Sequence, residues 1–325
     1  AANAGEANSI AIGTTSFTDG INAIAIGANS EAVAQDAIAV GSASEASAQN
    51  ASAFGTGSIA SGNGSTAIGR SAQATNDGAS AFGILARATG QLATAVGNAS
   101  VAAGPSSVAL GAAATADAPG TVALGGFSNA SDADATAVGF SAQATAQGTA
   151  AIGTSAQAGG FHASAVGAFA NASATNATAF GYRAEASGND STAVGTDSSA
   201  AFNGSSAFGA GVQAIRADQY LFGLGSSTYT FAGLPSADSL AAQGMVVGIV
   251  TTDANGNLAS DGGALDARVS VLEAGGGGGG VVLLAYRRLV ETGSVLVSAG
   301  SGGAGYLAGS DGEDGTAGTV RRWSI

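Results

Sequence analysis

The chain has 325 residues in only 30.3 kDa, with 54 Gly, 6% aromatic and 10% charged residues, against roughly 25% charged in an ordinary soluble domain. It has no Cys and one His, and all nine basic residues are Arg; this excludes thiol chemistry, disulfides, Cys-based zinc sites, lysine Schiff bases and any two-histidine mechanism. The net charge of −13 argues against a nucleic-acid partner, which needs a basic face.

From the first residues onward the chain is a repeat. Glycine falls at 13, 27, 41, 55, 69, 83, 97, 111, 125, 139, 153, 167, 181, 195 and 209, always 14 residues apart. Two residues before each glycine stands Ala, from Ala11 to Ala207. Immediately before it stands a large apolar residue: Ile12, Ile26, Val40, Phe54, Ile68, Phe82, Val96, Leu110, Leu124, Val138, Ile152, Val166, Phe180, Val194 and Phe208. Five residues after it Ala returns, broken only by Thr18. A helical hairpin needs about 34 residues per unit and a leucine-rich repeat at least about 20, so a unit of this size holds two short strands and two turns. The alternation in Ala37-Ile38-Ala39-Val40 is a strand signal, and Ser44-Glu45-Ala46-Ser47-Ala48 supplies the second strand. Stacked coils then pair each strand with its own copy in the next coil, giving an all-β parallel solenoid. Counted from Gly13 to a degenerate Gly223, the rod is about 70 Å long at ~4.8 Å per coil.

One strand face carries only Ala, Ser or Thr, so the interior is thin. The large apolar row then points outward as a continuous stripe, the mark of an interface, and rotational symmetry buries it most economically in a homo-oligomer. The opposite assignment, with the large row inside and the Ala row outside, stands as the alternative.

The units Ser9-Ile10-Ala11-Ile12-Gly13 and Asn22-Ala23-Ile24-Ala25-Ile26-Gly27 resemble the head repeat of YadA-type trimeric autotransporter adhesins, over residues 1–223. The resemblance implies a left-handed parallel β-roll, a homotrimer with the stripe at its axis, and an adhesive role outside the cell.

Past Gly209 the pattern decays. Leu221 replaces the invariant Ala in Gln219-Tyr220-Leu221-Phe222-Gly223, which reads as a capping coil. Residues 224–262 read as a capping and neck segment, resembling pieces that join heads to stalks in the same adhesins. Within it Val246 to Thr252 reads as a strand, and Asn255-Gly256 as a hairpin turn. Asp253, Asn255 and Asn257 imitate the start of a calcium loop, but glycine comes at loop position four and Ala264 stands where the last carboxylate belongs. Leu265, Val269 and Leu272 fall on one helical stripe, which predicts a short three-chain coiled coil over 263–274; a single packed turn is the alternative.

The remainder, 275–325, is a glycine-rich end. A hexaglycine precedes Val281-Val282-Leu283-Leu284-Ala285-Tyr286, the longest apolar run and far short of the ~20 residues of a membrane helix. That run and Ser294 to Ser298 read as strands. Gly309, Gly312, Gly315 and Gly318 keep a triplet period without the proline a collagen helix needs. No alternating strands of a membrane barrel follow, so no membrane insertion by this chain is expected. A first residue other than Met points to a processed product or fragment. The end resembles the receptor-binding tips of bacteriophage tail fibres, which implies a virion fibre contacting its receptor through Tyr286, Arg287, Arg288, Tyr306, Arg321, Arg322 and Trp323. A flexible linker is the alternative.

No catalytic constellation emerges, and no cofactor or metal is expected. His162 reads as an exposed loop residue. Asp36, Glu45, Asp117 and Glu185 are scattered singly and read as a solvated face. Asp132 with Asp134 reads as a polar turn. Asn-x-Ser/Thr sequons such as Asn171-Ala172-Ser173 are expected from composition. The leading function is an adhesive or receptor-binding fibre of a bacteriophage virion, with the head of a bacterial cell-surface adhesin as the alternative carrier. A filament without receptor binding is the second, and a polysaccharide-degrading spike, which needs paired carboxylates, the third.

Overall fold

The computed structural model describes residues 1–224, 226 and 227, and the backbone of strands 250–252, 258–260, 269–274 and 281–286. The chain divides into two units, Ala1–Ser227 and Thr228–Ile325.

The first unit is a parallel β-solenoid. Three-residue strands, from Ile10–Ile12 to Tyr220–Phe222, form a broad 16-stranded sheet; two-residue strands, from Asn3–Ala4 to Gln213–Ala214, form a narrow one of 16 strands. The register is 14 residues throughout: Ala11 lies beside Ala25, Ala25 beside Ala39, and Ala74 beside Ala88. Each coil therefore repeats the environment of the last, which is why the sequence repeats without insertion.

Within a coil the backbone has a second, seven-residue period. Ala43 (φ 55) and Asn50 (φ 56) both adopt the left-handed region, one in each turn. Each turn closes in the same way: the Ser44 N–H donates to Gly41 O at 3.3 Å, and the Ala51 N–H to Ala48 O at 3.1 Å. A left-handed residue other than glycine costs roughly 1–2 kcal/mol. Cross-coil bonds offset this, since the Ala43 N–H donates to Ala28 O at 2.8 Å and the Asn50 N–H to Gln35 O at 3.1 Å. Asn and Asp tolerate this conformation and recur there. Asn8 donates to Asn22 Oδ1 at 3.2 Å, and Asn22 to Asp36 Oδ1 at 2.9 Å, a side-chain ladder up one edge.

The core is a column of small side chains. Ala25, Ala39 and Ala53 of the broad sheet and Ala32, Ala46 and Ala60 of the narrow sheet are completely buried, as are Ala37 and Ala51 beside them. Several buried hydroxyls close back onto turns, as Ser44 Oγ does on Gly41 O at 2.9 Å, while Thr18, Ser107 and Ser191 keep theirs without a hydrogen-bond partner. Among the described residues the largest fully buried side chain is Val212, beneath the last coil. Above it Leu221 packs against the core where every earlier coil has Ala, and Phe222 stacks on Phe208 at 4.8 Å. Because the two sheets meet through Ala at this level, Ala102 and Ala116 being fully buried as Ala109 is, Ala109→Leu has no space to occupy; we expect a loss of about 1–3 kcal/mol, read as a lowered thermal midpoint.

In the second unit two antiparallel pairs are described. Val250–Thr252 pairs antiparallel with Leu258–Ser260; the turn expected at Asn255-Gly256 lies outside the described residues. Val269–Ala274 pairs with Val281–Tyr286 across the hexaglycine, Leu272 beside Leu283. This corrects the coiled coil expected over 263–274: Val269 and Leu272 lie in a strand, and Leu265 lies outside the described residues. An isolated helix of about ten residues is unstable, whereas an antiparallel pair of six residues with six satisfies the backbone of both strands. β-Branched Val269 and Val271 favour that outcome. The strand expected at 294–298, the glycine triplets, and Arg287, Arg288, Tyr306, Arg321, Arg322 and Trp323 lie outside the described residues. Of the expected tip contacts only Tyr286 is reached, by its backbone, at the end of a strand.

Candidate interaction surfaces of the roll

The strand alternation decides inside from outside. In each broad-sheet strand the central Ala points in, and the residues on either side of it point out. All fifteen members of the large apolar row, Ile12 to Phe208, are exposed or half-buried, while the Ala preceding each of them is buried from Ala25 to Ala207. Ile12 is 57% exposed, Phe180 55% and Leu110 45%; Val96 and Val138 are half-buried by their coil neighbours. The alternative with the large row inside is thereby excluded. Two residues earlier on each strand runs a companion row that sequence reading passed over. It is apolar at Ile10, Ile24, Ile38, Val108 and Val122 and Ser, Thr or Ala over most of its length, so the apolar face is widest near the start of the roll. The signal was there: strand residues two apart share a face.

A second surface follows the turn after each repeat glycine. Phe127 and Phe140 meet edge to face at 5.6 Å, as do Phe169 and Tyr182 at 6.0 Å. Phe169, Asn171, Tyr182, Arg183, Glu185 and Asp197 line an open groove of about 620 Å³. Across it Arg183 Nε lies 3.4 Å from Asp197 Oδ1, both side chains more than half exposed. Such a pair adds little stability but orients its groups.

The remaining candidates are turn residues and outward-facing strand residues. His162 is exposed, left-handed at φ 55, and stacks on Phe161 at 3.9 Å. Asp132 accepts the Ala133 N–H at 2.8 Å within a turn. Asp36 and Glu45 are half-buried on the outer surface, and Asp117 and Glu185 are exposed. Among the described residues no group of three His, Asp or Glu side chains could hold a metal ion.

The family model of the YadA head domain repeat matches residues 4–30, 32–58, 60–86, 88–114, 102–128, 116–142, 158–184 and 186–211, more than half of the chain. The chain belongs to the YadA head-repeat family. Among solved structures, the crystal structure of the collagen-binding domain of the Yersinia adhesin YadA is similar, at 20% identity over 70% of this chain and 87% of that one, with a TM-score of 0.20. No curated protein matches. Each copy matched by the YadA head model spans close to two coils, so the family's unit carries both the outward apolar row and the flanking turns.

Proposed function

We propose that the chain forms a non-enzymatic, homotrimeric, extracellular fibre for adhesion, in which three rolls bury their outward apolar rows about a common axis. The observation that carries this reading is the unbroken row from Ile12 to Phe208, on a roll whose own interior is already filled by Ala. A stripe of this length facing water needs a partner. A second copy of the same stripe is the partner that rotational symmetry supplies. Membership of the YadA head-repeat family supports three copies and an adhesive role.

In this reading the roll is a stiff spacer and the glycine-rich end, including Tyr286, Arg287, Arg288, Tyr306, Arg321, Arg322 and Trp323, contacts the receptor, a glycan or protein. Deleting residues 281–325 then lowers attachment of the fibre to its target cells at least tenfold, while the circular dichroism of the roll stays unchanged. Undiminished attachment would place the receptor contact on the roll. The family favours a bacterial cell surface as carrier; the resemblance of the glycine-rich end to phage fibre tips favours a virion. Antibodies raised against the roll, applied to purified virions and to intact producing cells, separate the two.

A further inference from the structure

We infer that the flank of the roll carries two equivalent binding platforms for a neutral polysaccharide, built on the pairs Phe127–Phe140 and Phe169–Tyr182. The two pairs occupy the same register. The first partner stands two residues after a repeat glycine, and the second stands one residue after the next repeat glycine. The flanking sequences match as well: Phe127-Ser128-Asn129-Ala130-Ser131 against Phe169-Ala170-Asn171-Ala172-Ser173. Gln143 and Glu185 then hold equivalent narrow-sheet positions. Three coils separate the platforms, about 14 Å at the ~4.8 Å strand spacing.

Their chemistry suits sugar. The rings are 59%, 56%, 52% and 47% exposed in chain order, on a rod otherwise made largely of Ala, Ser, Thr and Gly. Each pair is near perpendicular, at 75° and 87°, with the edge of one ring against the face of the other. A sugar ring has an apolar C–H face to lie on such a ring and hydroxyls around its rim to meet planar polar groups. The groove beside Phe169 and Tyr182 supplies those groups as Asn171, Arg183, Glu185 and Asp197.

Charge narrows the ligand. The platform at Phe127 and Phe140 has Asn129, Ser141 and Gln143 at the positions equivalent to Asn171, Arg183 and Glu185, all uncharged. A ligand common to both platforms is therefore neutral, and the acidic rod disfavours a polyanion. An extended peptide finds no free edge here, because the strands on both sides are already paired. The platforms lie on the turn and the narrow sheet, whereas the trimer reading uses the outer face of the broad sheet. Two sites on one strand of polysaccharide, repeated on each copy of the chain, raise avidity without new contacts.

Affinity electrophoresis of the full chain, in gels cast with dextran, hydroxyethylcellulose, galactomannan or polygalacturonate, tests this. At least one neutral polymer retards the protein and polygalacturonate does not. Phe169→Ala with Tyr182→Ala weakens the retardation at least fivefold; adding Phe127→Ala and Phe140→Ala removes it. Deleting 281–325 leaves it unchanged, which separates this site from the tip contact. The inference fails if no neutral polymer retards the protein, or if the fourfold variant migrates as the wild type does. It also fails if that variant sediments as a smaller species, because the rings then belong to the contact between copies.

Discussion

Replacing Gly97 by Ala breaks the roll at its middle. Gly97 has φ +133, a conformation that L side chains rarely adopt, and a Cβ there lies 2.5 Å from Gly111 O and 2.6 Å from Gly111 C. Both atoms are backbone, so no side-chain rotation relieves the clash. The neighbouring coils repeat it: a Cβ on Gly83 meets Gly97 O, and one on Gly111 meets Gly125 O, each at 2.5 Å. The glycines form a column in which each closes against the next. Strain of this kind costs of order 1–3 kcal/mol, and the backbone overlap adds to it, so we expect a loss above about 4 kcal/mol. A solenoid contacts only its neighbouring coils, so the damage stays local and divides the rod into two shorter stacks. Limited proteolysis should cut near residue 97, and the thermal transition should split or fall. An intact, protease-resistant rod with an unchanged midpoint would show that the column can open.

The second large effect is on assembly. Val96→Asp combined with Val138→Asp places two carboxylates per chain on the outward row, and in a trimer six on one axis. Both residues are half-buried within the single chain, on the outer face of the broad sheet. The roll itself therefore keeps its Ala core and its fold. Burying unpaired charge costs several kcal/mol per ion, and every ~1.4 kcal/mol is tenfold in affinity. We expect association to weaken by more than about a thousandfold on that scale. Sedimentation velocity should then show monomers whose circular dichroism matches the wild type. Thr115→Asp, on the narrow sheet, serves as control and leaves the assembly intact. A double variant that still sediments as a trimer would remove the apolar row from the interface.

Much of the fold was legible in the residues, for a reason specific to repeats. Every coil meets the same neighbours, so each structural requirement is written fifteen times. Gly at 13, 27 and 41 reports a backbone that admits no Cβ. Ala11 and Ala25 report a column with no room. Ile12 and Ile26 report an outer face. The helix expected over 263–274 shows the limit of a pattern read once. Leu265, Val269 and Leu272 satisfy a helical stripe, but the backbone of Val269–Ala274 pairs with Val281–Tyr286 instead. Three apolar residues in a single stretch do not outweigh a second apolar strand that pairs with them residue by residue.

The sequence alone determined the period, the parallel stacking and the two rows of each strand, one of Ala and one large and apolar, because these depend on contacts between identical positions in successive coils; burial in the folded roll placed the Ala row inside. The tertiary structure decided what depends on different positions meeting. It divided each coil into two seven-residue halves through the left-handed residues Ala43 and Asn50, which share no residue type. It brought Phe127 to Phe140 and Phe169 to Tyr182, pairs 13 residues apart that fall out of the repeat register and meet only because one coil lies on the next. A 14-residue period puts like on like, while the rise of the coil puts each turn beside the one before it, and the aromatic platforms depend on the second of these.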